Sequence, residues 1–502
     1  MMKSLKQLVS NKYFLIMAAV FSVAIIIRAC FFIGFGLGDD SIYAGVVRNI
    51  MNGGFRGLDL NYGMDYRVGL YLPILLFFSI FGINDISFVL YPLLASLGSI
   101  IVIYFIGKEL FGKETGIIAA ILMTFCPFDA VFASTMTIDI MTSLFTALSF
   151  LFFLKGHNDK SWKFILYFAF ASLAMFYNYM IKIPSVLVLC CFAIITLINI
   201  RVFIRHLVFY GSFATLLLAS FYTDYLLTGR FLNYWHTELT QSARGFGPYW
   251  YTLLEYFRWM FYRLGDGSLL FGYLYHALIP ALLYVGVRRL RCSYPVIIWA
   301  LSIFILLEFI PKQWQLPYEP APRFPRYTHA FVIPSVLMIA EALYSILKWK
   351  TYPFAICIAG LVISSIVEAH VLYKTWAEPF SDNNEASQFV LSLKPDRKII
   401  SDGWFYNRFE FDAKYKKPHL IVWDINGKRL QYDIIEKKDF AELEKVKNAY
   451  IVVGGSRAVY AAMFSVFNLG TSKPPNNWKL IKEIPKKITS YREETLKIFD
   501  VK

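Results

Sequence analysis

Charge is scarce in this 502-residue chain: Asp, Glu, Lys and Arg make up 17% of it, against roughly a quarter of an average soluble domain. Cysteine is sparse too. Cys30, Cys126, Cys190, Cys191, Cys292 and Cys357 lie in or beside apolar runs, and none falls in the polar C-terminal part. That distribution excludes a disulfide framework and a zinc-ligand spacing, and leaves the thiols as small apolar packing groups. The seven histidines form no HExxH-like pattern. Internal repeats and low-complexity tracts are absent. The first apolar run, Tyr13 to Gly34, has a basic flank (Lys3, Lys6, Lys12) but no small-residue cleavage site, and it contains Arg28. A retained span is expected rather than a removed signal peptide.

What remains is greasy: 57% of the residues are hydrophobic and 18% aromatic, in runs that approach the roughly 20 residues needed to cross a bilayer. An α-helical polytopic membrane protein is expected, with about eleven transmembrane helices near 13–33, 88–107, 116–132, 138–154, 164–180, 183–200, 206–226, 268–286, 293–311, 329–347 and 352–371. The run Leu70–Phe81 is too short for an ordinary span and suits an in-plane helix. Positive-inside parity supports that choice. With the N-terminus inside and Leu70–Phe81 unspanned, Lys108 and Lys113, Lys155 to Lys163, Arg201 and Arg205, Arg288 to Arg291, and Lys348 and Lys350 all fall on one side. The net charge of +15 therefore reads as cytoplasmic loop charge against anionic headgroups, with no nucleic-acid partner.

The C-terminus differs. From Lys374 onward there are 23 basic and 17 acidic residues. The short runs RKIISD, HLIVW, NAYIVVGG, WKLIKEI and LKIFDV read as strands, and EASQFVLSL and DFAELEKV as helices. Two domains are expected: 1–372 in the membrane and 373–502 as a small α/β extracytoplasmic domain ending in a hairpin.

Acids at the ends of spans stand out. In GDDSIYAGVVRNIMNGG, Asp39 and Asp40 open an amphipathic helix that Gly53 and Gly54 would stop. Either acid can cap that helix. Near a bilayer an acid also tends to mark function, here as a general base or orienter of an acceptor hydroxyl. Asp139, in ASTMTIDIMTSLF, begins a span on the same side, as a cap or facing Asp39 across an outer cavity. Paired carboxylates also suit a divalent metal, but no histidine cluster supports one, so no cofactor is expected. Several outer cations break the positive-inside trend: Arg67, Lys182, Arg244, Arg258, Arg263, Arg323 and Arg326. Loop arginines can snorkel to headgroups. Taken together, cations and acids at an outer mouth suit a phosphate-bearing lipid. The aromatic segment GPYWYTLLEYFRWMFYR reads as an interfacial belt helix or a lid.

These residues resemble the GT-C glycosyltransferases that use polyprenyl-phosphate sugars, the group of the protein O-mannosyltransferases and the lipid A aminoarabinose transferase. Their first outer loop carries Asp-Glu followed by Ala-x-Tyr-Ala; here it is DDSIYAGVVRNI, with Asp40 in place of the Glu. Arg28 in the preceding span is also similar. The stretch from YRVGLYLP to GKELFGKE resembles the family throughout. Asp139 falls at its second acid, with Ile140 where a Pro is usual. IKIP resembles its Thr-Lys-Gly-Pro turn with Thr and Gly lost, and RYTHAFVIP its Arg-Tyr…Pro element. The similarity is good over 13–200, patchy over 206–350 and weak after 380.

The resemblance implies a GT-C fold and a membrane glycosyltransferase in the cell (plasma or inner) membrane. It would move a sugar from a polyprenyl-phosphate donor to a hydroxyl of a lipid, glycan or protein acceptor on the outer face. Asp39, Asp40 and Asp139 would be catalytic, with Asp39 the base. Arg67, Lys182, Arg323, Arg326 and Tyr327 would bind the donor. Inverting stereochemistry is what the family implies. Two other readings use the same features: a lipid-linked sugar flippase, which would be expected to show inverted repeats or mid-membrane acids, and a non-catalytic assembly subunit.

Overall fold

The computed structural model describes residues 12–36, 39–54, 66–242, 254–264, 267–309, 324–376, 378–393, 398–400, 403–414, 447–453, 478–484 and 496–502. The runs HLIVW and DFAELEKV, the start of the aromatic segment, Arg244 and Arg323 lie outside them.

Helices dominate because an apolar run in lipid must satisfy every backbone N–H and C=O within itself. In chain order they are α1 (Lys12–Cys30), α2 (Asp39–Gly53), α3 (Val68–Phe81), α4 (Asp85–Leu110), α5 (Lys113–Thr124), α6 (Pro127–Phe132), α7 (Ile138–Asn158) and α8 (Phe164–Ile181). After a 3-10 turn at Ile183–Val188 come α9 (Leu189–Ile198), α10 (Phe203–Thr228), α11 (Asn233–Ser242), α12 (Glu255–Phe261), α13 (Leu274–Arg288) and α14 (Leu290–Phe309). A second 3-10 turn, Pro325–Phe331, leads into α15 (Val332–Trp349) and α16 (Thr351–Trp376). Eight helices among the described residues are long and apolar enough to span a membrane. Val68–Phe81, Ile183–Ile198 and Leu274–Arg288 are shorter apolar helices. This is the architecture of a multi-pass membrane protein.

One expected span, 116–132, is broken in two. Cys126 leaves the helical region (φ −57°, ψ 118°) directly ahead of Pro127, which opens α6. A proline disfavours the α conformation in the residue before it and cannot donate into a helix interior. The crossing of α4 and α5 is close because both carry glycine at the contact. A Cβ on Gly116 would lie 2.5 Å from the Tyr104 main-chain oxygen, and one on Gly107 would lie 2.8 Å from the Gly116 Cα. Small residues at such crossings let helix backbones approach where the lipid provides no hydrophobic drive. At the start of α2 the two acids stand in the first turn, and the helix ends at Gly53 with Gly54 at φ +61°.

The chain divides into two compact units that do not follow its linear order. The larger holds Met1–Phe32, Asn49–Leu76 and Val89–His370; the smaller holds Ile33–Arg48, Phe77–Phe88 and Val371–Lys502. In the smaller unit α17 (Glu378–Ser392), β1 (Lys398–Ile400), α18 (Gly403–Asp412), β2 (Ala449–Val453), β3 (Trp478–Ile484) and β4 (Leu496–Val501) form a small α/β layer. Its sheet order is β1-β2-β4-β3, with β1 and β2 parallel and the β2/β4 and β3/β4 pairs antiparallel. Val390, Ile399, Phe405, Phe409, Val452 and Ile498 lie in its core. Arg408 also joins α18 to the first loop of the chain. It grips both oxygens of Asp85 at 2.8 Å and the Phe35 carbonyl at 3.2 Å, while Phe35 stacks on Phe411 at 4.3 Å.

Candidate functional site

Helices α7 and α8 pack side by side, and the candidate site gathers at one end of that pair. Asp139 stands in the first turn of α7. Lys182 ends α8 in extended conformation, its N–H still bonded to the Asn178 carbonyl at 3.0 Å, and the 3-10 turn with Pro184 follows. These backbones bring Lys182 Nζ to 2.7 Å from Asp139 Oδ1, with side chains only 10% and 7% exposed. Asp139 therefore serves a cation across the helix pair. The turn Pro325–Phe331 adds Arg326, whose Nε lies 3.6 Å from Asp139 Oδ2, and Tyr327, whose ring lies under Lys182 Nζ at 3.8 Å. Two cations share one carboxylate, so the cluster carries a net charge of about +1.

The cluster borders a cavity with about 640 Å³ of non-atom space, part of it open to solvent. Leu187, Val188, Ile303, Leu307 and Ile333 make its walls largely apolar, against Lys182 and Asp139. Three buried polar atoms at this wall have no hydrogen-bond partner among the described residues: Asp139 Oδ2, Ser185 Oγ and the Trp299 indole N–H. Buried polar groups are usually satisfied, so orphans at a cavity point to a ligand that meets them.

Behind the cavity runs a second, sealed network. Arg28 on α1 donates to Asp129 on α6 at 2.9 Å, to Ser96 at 2.6 Å and to the Thr124 carbonyl at 3.1 Å. Ser96 also bonds Asp129. The other Asp129 oxygen meets His329 Nε2 at 3.0 Å, and His329 Nδ1 lies 2.8 Å from Ser143 Oγ, which lines the cavity. Asp129 and His329 are fully buried and Arg28 nearly so. Sequence reasoning noticed Arg28 and passed over Asp129, His329 and Ser143. The available signal was a lone Asp in the apolar run CPFDAVF, since a buried acid requires a counter-charge. Among the described residues no three His, Cys, Asp or Glu side chains converge as a metal site, and the guanidinium beside Asp129 and His329 is an unsuitable neighbour for a cation.

Asp39 and Asp40 belong to the smaller unit. Asp40 is buried, and its Oδ2 accepts from the Gly36 N–H at 2.8 Å, ahead of the helix rather than within its first turn. Asp39 is half-buried. Arg67 is buried in the larger unit, where its carbonyl accepts from the Leu70 and Tyr71 N–H groups and so opens α3. Next to it Gly69 lies close against α8: a Cβ there would come within 3.1 Å of the Met180 main chain, and the Tyr177 hydroxyl donates to the Gly69 carbonyl at 2.8 Å. Of the loop arginines, Arg258 pairs with Glu255 and Arg263 with Glu368. Arg323 is outside the described residues.

Residues 69–224 match the model of the dolichyl-phosphate-mannose-protein mannosyltransferase family. No curated protein sequence matches significantly. Among solved structures the chain is similar to apo ArnT from Cupriavidus metallidurans, at 15% identity and TM-score 0.61 over 96% of this chain and 97% of that one. It is similar to the same protein bound to undecaprenyl phosphate at 14% identity and TM-score 0.56, with the same coverage. The archaeal oligosaccharyltransferase AglB from Archaeoglobus fulgidus, in complex with an inhibitory peptide and a dolichol-phosphate, matches at 14% identity and TM-score 0.54 over 88% of this chain and 69% of that one. The chain has the GT-C glycosyltransferase fold.

Proposed function

We propose that the protein is a membrane glycosyltransferase that takes a sugar from a polyprenyl-phosphate donor and passes it to an acceptor hydroxyl on the outer face of the cell membrane. The observation that carries this reading is the Lys182–Asp139–Arg326 cluster on a largely apolar cavity. A sugar-phosphate-lipid is a phosphodiester with one negative charge, which matches the net charge of the cluster. Its prenyl chain suits walls of Leu, Val and Ile. When the bond from the anomeric carbon to the phosphate oxygen breaks, the phosphate gains a second charge. Lys182 and Arg326 then bind it more strongly than they bound the donor, which is the condition for lowering a barrier. Asp139 holds the two cations in place. Both cations supply positive charge directly, so EDTA treatment is expected to leave the transfer rate unchanged.

Asp39, by its likeness to the first acid of the family, takes the proton from the acceptor hydroxyl, whose oxygen attacks the anomeric carbon with inversion. Asp40 holds the loop ahead of α2, and Arg67, Arg323 and Tyr327 act on the donor side. The short basic loops set the N-terminus on the cytoplasmic side and these residues on the other.

The test is transfer from labelled polyprenyl-phosphate sugars in membranes containing wild type or Asp39→Asn, with label followed into water, lipid and protein fractions. Transfer by wild type and at least a hundredfold less by Asp39→Asn is expected for loss of a general base. Undiminished transfer by the variant removes Asp39 from that role, and no transfer from folded wild type with any donor contradicts the enzyme reading.

A further inference from the structure

His329 stands where two ligand-facing elements meet. It lies three residues after Arg326 on the 3-10 turn Pro325–Phe331, and in a 3-10 helix residues i and i+3 eclipse one another. Its partner Ser143 lies four residues after Asp139 on α7, which puts those two on one helix face. Each element thus carries a residue of the charged cluster and, one turn along, a residue joined to the other element through the imidazole. The 2.8 Å contact between His329 Nδ1 and Ser143 Oγ fixes how the turn and α7 sit against each other. His329 Nδ1 is also 3.3 Å from the Asp139 main-chain oxygen.

The other end of the imidazole is anchored firmly. Nε2 meets Asp129, which Arg28 and Ser96 hold to α1 and α4. Phe128 and Phe271 flank the ring, with centroids 5.1 and 6.1 Å away. A carboxylate only accepts, so the ring donates from Nε2 to Asp129, and Nδ1 is the atom that meets the Ser143 hydroxyl.

We propose that His329 is a positioning residue: it transmits the rigidity of the Arg28–Asp129 pair to the cavity and sets the spacing between Asp139 and Arg326. Its effect on ligand rests on the lipid-phosphate reading above; its mechanical effect does not.

The test uses the full chain in nanodiscs with undecaprenyl phosphate as the probe. Binding is measured for wild type, Ser143→Ala, His329→Gln, Arg326→Ala and the double variant His329→Gln/Arg326→Ala. The Gln amide keeps a donor for Asp129 and loses the link to Ser143. His329→Gln is expected to weaken binding about tenfold, within the range of coupling through a packed network. Arg326→Ala is expected to cost affinity in wild type and little more in the His329→Gln background. Independent, multiplying losses overturn the proposal, as does wild-type affinity in His329→Gln. Ser143→Ala cuts the same link while leaving the Asp129–His329 contact, so it carries the test if His329→Gln does not fold. Hydrogen exchange gives a readout apart from the ligand. Ser143→Ala is expected to speed exchange at 326–331 and 138–143 with the remaining helices unchanged. If wild type fails to bind the probe, the lipid-phosphate reading fails and the exchange result alone decides; unchanged exchange there overturns the positioning role.

Discussion

Asp129 and Asp139 are both buried acids of the larger unit, ten residues apart, and the protein treats them differently. Asp129 has Arg28, Ser96 and His329 on its two oxygens and no access to solvent. Asp139 has Lys182 on one oxygen, while the other lies 3.6 Å from Arg326 and has no hydrogen bond among the described residues. The first set is complete in itself; the second is incomplete and faces a cavity. Burying an ion pair is tolerable only when its remaining hydrogen-bonding capacity is met. The sealed set therefore reads as architecture, and the open set as a site for a partner that brings negative charge to the two cations, a donor to Asp139 Oδ2 and an acceptor to the Trp299 N–H.

The sharpest way to break the comparison is to remove charge from the sealed set. Asp129→Asn leaves the buried Arg28 without a counter-ion, and about 3–5 kcal/mol of stability should be lost. Thermal unfolding of the purified protein should show a large drop in Tm or loss of folded material, and a variant as stable as wild type would show that the network is not structural. The open set should yield less. Lys182→Met leaves Asp139 near Arg326 and beside a cavity that admits water, so about 1–3 kcal/mol is expected; a loss equal to that of Asp129→Asn would erase the distinction. The smallest effect should come from Trp299→Phe. It removes an indole N–H without a hydrogen-bond partner among the described residues and leaves a small void at a fully buried site, so only the void should cost ligand-free stability, about 1 kcal/mol. A loss well above that of the void would mean that the N–H is already satisfied.

Much of the fold is legible in the residues. Apolar runs located the spans because hydropathy is additive along the chain. It did not register Pro127, whose effect on Cys126 divides one expected span into two helices. Asp139, Lys182 and Arg326 stood out as charges at the ends of apolar runs. Their mutual pairing was not readable, because it depends on how α7, α8 and a distant 3-10 turn pack, and the expected alternative partner for Asp139 was Asp39. Asp129 and His329 escaped notice since each is a single polar residue in an apolar stretch; only the rule that a buried charge needs a counter-charge links Arg28 to Asp129. Asp40 bonding back to Gly36 depends on a loop conformation that no pattern encodes. In the smaller unit the strand runs at 398–400, 449–453, 478–484 and 496–501 were visible. The parallel pairing of β1 with β2 was not, because register and neighbour choice are set by tertiary packing.

The most direct test of the central claim, that the cavity at Lys182 holds the phosphate of a lipid-linked sugar donor, is steady-state transfer by purified wild type and Lys182→Met as labelled undecaprenyl-phosphate sugar is varied. A cation that binds the leaving phosphate more tightly than the donor predicts a fall in kcat/KM of at least about a hundredfold, with kcat itself reduced. Equal kcat/KM in folded wild type and Lys182→Met would contradict the account.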